Sequence, residues 1–142
     1  MRQVKVKKLV TSMLAFLLLT VVVPPFLYTA EAATPRYIAI NDFRTDLEIS
    51  DSGSASCSTK VSFVYTTYTV EITMKLQRTS MTESQWTTIR TWTTTGSGTV
   101  AMDRVWLVNS GYFYRLIVTA TVYDANGNFV ETQTISSEVV GY

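Results

Sequence analysis

The sequence predicts an all-β fold: an antiparallel sandwich of two sheets, with about seven strands and no helix after the leader. In several segments apolar residues recur at every second position, which is the period of a strand that buries one face. Short stretches rich in Gly, Asn, Asp and Ser separate these segments at intervals typical of sandwiches and barrels. Two stacked sheets are favoured because their inner faces explain why most strands are apolar on one side only.

The stretch that organises the chain is residues 111–140, which we interpret as two long strands folded back on each other at Asn126-Gly127. The apolar positions of the first arm are Tyr112, Tyr114, Leu116, Val118, Ala120 and Val122. Asn-Gly between two alternating strands is a strong turn signal. Residues 124–128 also concentrate oxygen ligands, but Gly127 does not have the spacing of a helix-loop-helix calcium site. We therefore expect a turn, and no metal or cofactor.

The remaining strands follow from the same pattern in chain order. They are predicted at residues 45–49, 55–65, 70–77 and 86–92, with a further strand or strand end from Val100 and polar connections at 78–85 and 93–98. Cys57 falls on the apolar face of the second strand. We expect it to be a small buried hydrophobe with an inert thiol, and a reactive or intermolecular thiol is the alternative.

The first 32 residues have the three-part pattern of a secretory signal peptide. A positively charged start is followed by an apolar run at 9–23, then by Pro24-Pro25 and the small-residue site Ala30-Glu31-Ala32. The alternative is an uncleaved anchor, but the run is shorter than the ~20 residues that a bilayer-spanning helix needs. We expect a helical leader that is cleaved after Ala32. The product is then a secreted protein with one domain, 33–142, that meets a membrane only through its leader before cleavage.

Composition excludes several kinds of chemistry. Arg2, Lys5, Lys7 and Lys8 all lie in the leader, so the rest of the chain is mildly acidic and lacks the basic cluster of a nucleic-acid binder. The chain has no histidine and one cysteine, which removes Ser-His-Asp and Cys-His nucleophiles and His-ligated metals. Catalysis would need two carboxylates that face one cleft at a glycosidase-like separation. We expect no enzyme.

One part of the chain resembles a known family. Leu107 is followed by Val108-Asn109-Ser110-Gly111 and then by Tyr114-Arg115-Leu116-Ile117-Val118-Thr119-Ala120. This pattern resembles the corner and sixth strand of fibronectin type III and related immunoglobulin-like domains. The resemblance implies that the Tyr114 hydroxyl folds back onto the preceding corner, with Tyr112 as the alternative. The chain also resembles small secreted proteins of Gram-positive bacteria that have no assigned function.

The aromatic residues suggest a binding surface. Trp86 and Trp92 share strand parity, and Phe113, Ile117 and Tyr123 lie on the face of their strand opposite Tyr114. If both strands belong to one sheet, these five residues form an aromatic platform that stacks on sugar rings or packs against a protein. The alternative is that a second layer, a loop or the lead-in residues 34–42 cover them.

Two functions of different classes follow. The first is a secreted, non-enzymatic interaction module that binds a cell-surface protein or glycan through a sheet face or through the connections 78–85 and 93–98. The second is a self-associating extracellular or matrix subunit that adds strands edge to edge, with residues 87–95 as the template.

Overall fold

Eight β-strands make up the part of the chain that the computed structural model describes, residues 38–82 and 84–142. They are β1 (Ile40–Ile49), β2 (Ser54–Phe63), β3 (Thr69–Ser80), β4 (Thr87–Ser97), β5 (Val100–Leu107), β6 (Tyr112–Tyr123), β7 (Phe129–Ser136) and β8 (Val140–Gly141). No helix within these residues is long and apolar enough to cross a membrane. The predicted leader and its cleavage site lie outside the described residues.

The strands form two antiparallel sheets. A three-stranded sheet has the order β1-β2-β5, and a larger, five-stranded sheet has the order β4-β3-β6-β7, with β8 beside the start of β6. Every pairing between neighbours is antiparallel. The predicted all-β sandwich is therefore confirmed.

The core lies between the two sheets and is built from alternate residues. The larger sheet contributes Val70, Ile72, Met74, Leu76, Tyr114, Leu116, Val118, Ala120 and Val122, and the three-stranded sheet contributes Leu47, Ala55, Cys57, Val61 and Met102. Burial of one Val, Leu, Ile or Met side chain is worth about 1.5–3 kcal/mol, so this cluster is the main stabilising element. This packing explains why apolar and polar residues alternate in the sequence at 70–76 and 112–122.

Two connections predicted from composition are wrong in their bounds. Residues 93–97 belong to β4, which pairs with β3 as far as the Thr69 to Ser97 partnership, and the chain reverses at Gly98, whose φ is +69°. Residues 78–80 belong to β3, where Ser80 partners Tyr112. Threonine and serine are common in loops, but threonine also suits a pleated, half-exposed strand. Here the pairing with β3 makes residues 93–97 part of a strand.

The interpretation of 111–140 as two long strands holds for β6, but the second arm is divided. β7 ends at Ser136, and the chain leaves the ladder at Ser137. There the Ser137 N–H donates to the Leu116 carbonyl, and the Leu116 N–H donates to Ser137 Oγ. The chain then rejoins β6 as β8, so the second arm is a broken strand.

A buried carboxylate joins the two sheets along one side. Glu131 of β7 is 5% exposed, and its oxygens accept hydrogen bonds from the backbone N–H groups of Ile38, Ala39 and Ile40 at 2.8–3.0 Å. Burial raises the pKa of Glu131, but the three backbone donors outweigh it and leave the pKa below its usual value. Glu131 therefore anchors the start of β1 to the opposite sheet.

Candidate interaction face

The outer face of the larger sheet carries rows of threonine. Thr93, Thr73, Thr119 and Thr134 are successive cross-strand partners in β4, β3, β6 and β7. The hydroxyls of Thr119 and Thr134 lie 2.9 Å apart, and in the next row the Thr132 hydroxyl donates to Thr121 at 3.0 Å. The face is thus a hydroxyl-rich surface formed by four strands.

These hydroxyls keep hydrogen-bonding capacity for a ligand. Each threonine hydroxyl has one donor and two acceptor positions. A pair such as Thr119 and Thr134 uses one donor and one acceptor, so one donor and several acceptor positions remain. The pairing also fixes the oxygens in place, which lowers the entropic cost of ordering these side chains when a ligand binds.

At one end of this face, a tryptophan stacks on an arginine that is itself held in place. The guanidinium carbon of Arg115 lies 4.1 Å from the ring centroid of Trp86. Arg115 Nε donates to Gln77 Oε1 at 3.0 Å, and Gln77 Nε2 donates to Thr88 Oγ1 at 3.1 Å. We call Trp86, Arg115, Gln77 and Thr88 the Trp86 cluster. Its members fix one another, so the indole and the guanidinium form a preorganised surface.

Two more of the sequence-predicted candidates flank this cluster. Phe113 and Ile117 lie two residues before and after Arg115 on the same face of β6. Phe113 is 38% exposed and packs over Gly141, where an added Cβ would lie 3.2 Å from Phe113 Cε1. Ile117 is half-buried opposite Lys75. The structure therefore places Trp86, Phe113 and Ile117 at the same end of one face.

Tyr123 lies on the same face but at the opposite end of β6. It is ten residues from Phe113, or about 33 Å along an extended strand. Its cross-strand partners are Thr69 and Phe129, and Phe129 is 64% exposed. Tyr123 and Phe129 thus form a second, separate aromatic site, with the threonine rows between it and the Trp86 cluster.

The prediction that Trp92 shares a face with Trp86 is wrong. Trp92 partners Met74, a core residue, and is half-buried against the core. The β3–β4 register shifts between Leu76 and Gln77, which leaves Ile89 as an extra residue in β4. One inserted residue reverses the face on which every later side chain lies. Trp92 therefore lies on the inner face of the larger sheet and does not belong to its outer, threonine-rich face, which we call the interaction face.

Two further candidates from the sequence, Cys57 and Tyr114, lie in the core. Cys57 is fully buried, and burial raises its pKa to about 11, which disfavours the reactive thiolate. Tyr114 is fully buried, and its hydroxyl donates a hydrogen bond of 2.6 Å to the Asn109 carbonyl. That contact is the one that the resemblance to fibronectin type III domains implies.

The Asn126-Gly127 turn is held by Asp124. Asp124 Oδ1 accepts from the N–H groups of Asn126 and Asn128 at 2.8 and 2.9 Å, and Oδ2 accepts from Asn128 Nδ2 at 3.0 Å. The hydrogen bonds from Asn128 are the main cause of a lowered pKa at Asp124. Gly127 has a φ of +81°. Both oxygens of this carboxylate are thus engaged by the turn itself.

The outer face of the three-stranded sheet has a different character. A depression of about 420 Å³ lies over Ser58, between its cross-strand partners Asp46 and Asp103. A glycosidase needs one carboxylic acid that stays protonated in a desolvated site, and both of these carboxylates are exposed to water. The pair therefore gives no reason to propose catalysis.

Comparison with known proteins adds no further assignment. A scan against protein-family models finds no match for the chain, and a search of curated proteins finds none. The interaction face is therefore interpreted from its own residues and their geometry.

Proposed function

We propose that this protein is an exported, non-enzymatic interaction module that binds an extracellular protein or glycan through the outer face of the larger sheet. The observation that carries the proposal is the Trp86 cluster. Trp86 is half-buried and rests on the Arg115 guanidinium, and Phe113, two residues before Arg115 on the same face of β6, is 38% exposed. Aromatic and arginine side chains with fixed geometry are the residue types that dominate binding energy at interfaces.

The chemistry of the surrounding face favours a ligand that is polar and uncharged. On this face β3 and β6 contribute the charged residues Glu71, Lys75 and Arg115, so its net charge is only +1. The threonine hydroxyls offer donors and acceptors, and the indole offers an apolar plate. Sugar rings present both an apolar face and hydroxyls, and so do many protein surfaces. Both classes of partner fit this combination.

We also propose that the domain is a fibronectin type III-like member of the immunoglobulin-like sandwiches. If β1 to β7 are lettered A, B, C, C′, E, F and G, the sheets read A-B-E and C′-C-F-G, with C′ joined to the G-F-C sheet. The hydroxyl of Tyr114, at the start of the F strand, donates to the corner carbonyl of Asn109. Strand order and corner contact together support the assignment.

The test is a search for a ligand that depends on the Trp86 cluster. The purified protein is screened on a glycan array and in pull-downs from cell-surface extracts, in parallel with Trp86→Ala and with Leu107→Ala. Leu107 is a matched control because it is 75% exposed on the other sheet. We expect Trp86→Ala to weaken binding by at least about tenfold, as for an interface anchor, and Leu107→Ala to leave it unchanged. Equal binding by all three proteins contradicts the proposal.

A further inference from the structure

The two sheets have four edges: β1 and β5 in the smaller sheet, and in the larger sheet β4 on one side and β7 followed by β8 on the other. An edge strand presents unpaired backbone N–H and C=O groups, and these can pair with another chain. Proteins block such edges with charged side chains, with bulges or with inward-pointing charges. The four edges of this protein differ in how they are blocked.

Three of the edges carry such devices. β7 has a bulge at Val130 and the inward-pointing Glu131, whose carboxylate binds backbone of the other sheet. β1 has an irregularity between Ile40 and Asp42 and four charged side chains along its length. β5 has the adjacent charges Asp103 and Arg104 near its middle. Addition of a further strand is disfavoured along β1 and β5 and at the start of β7. Residues 132–136 of β7 are also uncharged, but this stretch is shorter than 91–97 of β4 and ends where the chain leaves the ladder to rejoin β6 as β8.

The fourth edge is blocked along half its length. In the first half of β4, Ile89 forms a bulge and the Arg90 guanidinium carbon lies 3.9 Å from the Trp106 ring centroid of β5. Residues 91–97 read Thr-Trp-Thr-Thr-Thr-Gly-Ser, with no charge, proline or bulge. Their exposure alternates between exposed and half-buried, with Thr91, Thr93 and Thr95 on the outer face. This half of β4 is a regular, uncharged edge.

We propose that two copies of this protein associate through residues 91–97 of β4, antiparallel and across a two-fold axis. An axis near Thr93 places Thr91 of each copy opposite Thr95 of the other and joins the two larger sheets into one continuous sheet. A two-fold interface of this kind uses the same segment of both copies, so it closes at the dimer and does not propagate. The association does not depend on the ligand proposed for the outer face.

The sheet itself shows why a second copy suits this edge. Within one copy, two pairs of threonines that face each other across the antiparallel strands β6 and β7 already pair through their hydroxyls, Thr119 with Thr134 and Thr121 with Thr132. A second β4 brings threonine opposite threonine in the same way and extends the row that begins at Thr93. Cross-strand threonine pairs stabilise antiparallel sheets by about 0.2–1 kcal/mol each, in addition to the new backbone hydrogen bonds. The edge is therefore complementary to itself.

The test measures self-association of the purified protein by sedimentation velocity over a wide concentration series. Thr93→Lys combined with Thr95→Lys places like charges opposite each other across the two-fold axis. The control, Thr132→Lys combined with Thr134→Lys, makes the same charge change on the same face at the β7 edge. We expect a monomer–dimer equilibrium whose Kd rises by about tenfold or more in the β4 variant and stays within about twofold in the control.

Hydrogen exchange of the unmodified protein provides a second readout that does not require a variant to fold. Amides of residues 91–97 gain protection as protein concentration rises, whereas amides of β7 do not. A single monomer mass at every concentration overturns the proposal. So does a dimer that is weakened by the β7 control and left intact by the β4 substitutions, or concentration-dependent protection at β7 in place of β4.

Discussion

The hydroxyl of Tyr114 donates a hydrogen bond of 2.6 Å to the backbone carbonyl of Asn109, five residues earlier in the chain. The ring that carries this hydroxyl is fully buried, and it also packs edge-on against Tyr112 at a centroid distance of 6.3 Å. One side chain therefore fills the end of the core and fixes the corner through which the chain enters β6.

Removal of that hydroxyl is expected to destabilise the domain. Tyr114→Phe keeps the ring but leaves the Asn109 carbonyl without its donor, at a cost of about 1–2 kcal/mol. For a domain of this size the melting temperature should fall by about 5–10 °C, as measured by calorimetry. Tyr112→Phe is the control, because its ring contacts with Arg78 and Tyr114 do not need the hydroxyl. An unchanged melting temperature in Tyr114→Phe contradicts a structural role for the corner contact.

Glu131 should make the stability of the fold depend on pH. Because its pKa in the folded protein is below the ordinary value near 4.5, the ionised carboxylate stabilises the fold above that pH. The contribution is lost as the pH falls through the lower, folded-state pKa. Glu131→Gln, which removes the charge and one acceptor, should cost about 2–3 kcal/mol at neutral pH.

Urea denaturation over a pH series measures this effect. The free energy difference between the unmodified protein and Glu131→Gln should be largest at neutral pH and should shrink on acidification. Asp124→Asn is the comparison, because the pKa of Asp124 is also lowered but its exposed carboxylate binds only its own turn. A difference that stays constant from neutral to acidic pH contradicts the assignment to the Glu131 carboxylate.

Cys57 should be unreactive in the folded protein. Its thiol is fully buried, and its pKa is raised to about 11, so neither access nor ionisation favours attack. At mildly alkaline pH, a disulfide reagent such as dithiobisnitrobenzoate should label it only after denaturation. Labelling of the native protein at the rate of a free thiol would show that β2 opens or that the thiol has another role.

The β6–β7 turn should require glycine at position 127. Gly127 has a φ of +81°, and no neighbouring atom lies within 4 Å of an added Cβ, so the penalty for alanine is conformational and not steric. Gly127→Ala should lower the free energy of unfolding by about 1–2 kcal/mol in urea denaturation. Asn126→Ala, whose backbone N–H still donates to Asp124, should cost less. The opposite order would contradict the turn geometry described above.

Much of the fold could be predicted because burial imposes a period of two on the sequence. Val70, Ile72, Met74 and Leu76 alternate with polar residues since they pack between the sheets. The ends of the strands were harder to predict from the sequence, because the threonines of 93–97 suit both a loop and an exposed strand. Glu131 has no sequence signal of its own: a single carboxylate in a polar strand reads as a solvent-facing residue until its backbone partners are known.

The candidate face could be predicted only in part. Parity along β6 correctly separates Phe113, Ile117 and Tyr123 from the core residues, because no bulge intervenes in its pairing with β3. The same reasoning fails for Trp92, since the extra residue at Ile89 reverses the parity without any change in composition. Parity also gives no distance along a strand, so the separation of Tyr123 from the Trp86 cluster emerges only from the register.

Hydroxyl-radical footprinting tests most directly whether the outer face of the larger sheet is the ligand-binding surface. The protein is oxidised alone and in the presence of surface fragments of the cells that produce it, and modification is quantified residue by residue. Binding at this face predicts a reduced rate of oxidation at Trp86 and Phe113, with no change at Val105 and Leu107 on the other sheet. Protection of Val105 and Leu107, with Trp86 and Phe113 oxidised as fast as in the free protein, would contradict it.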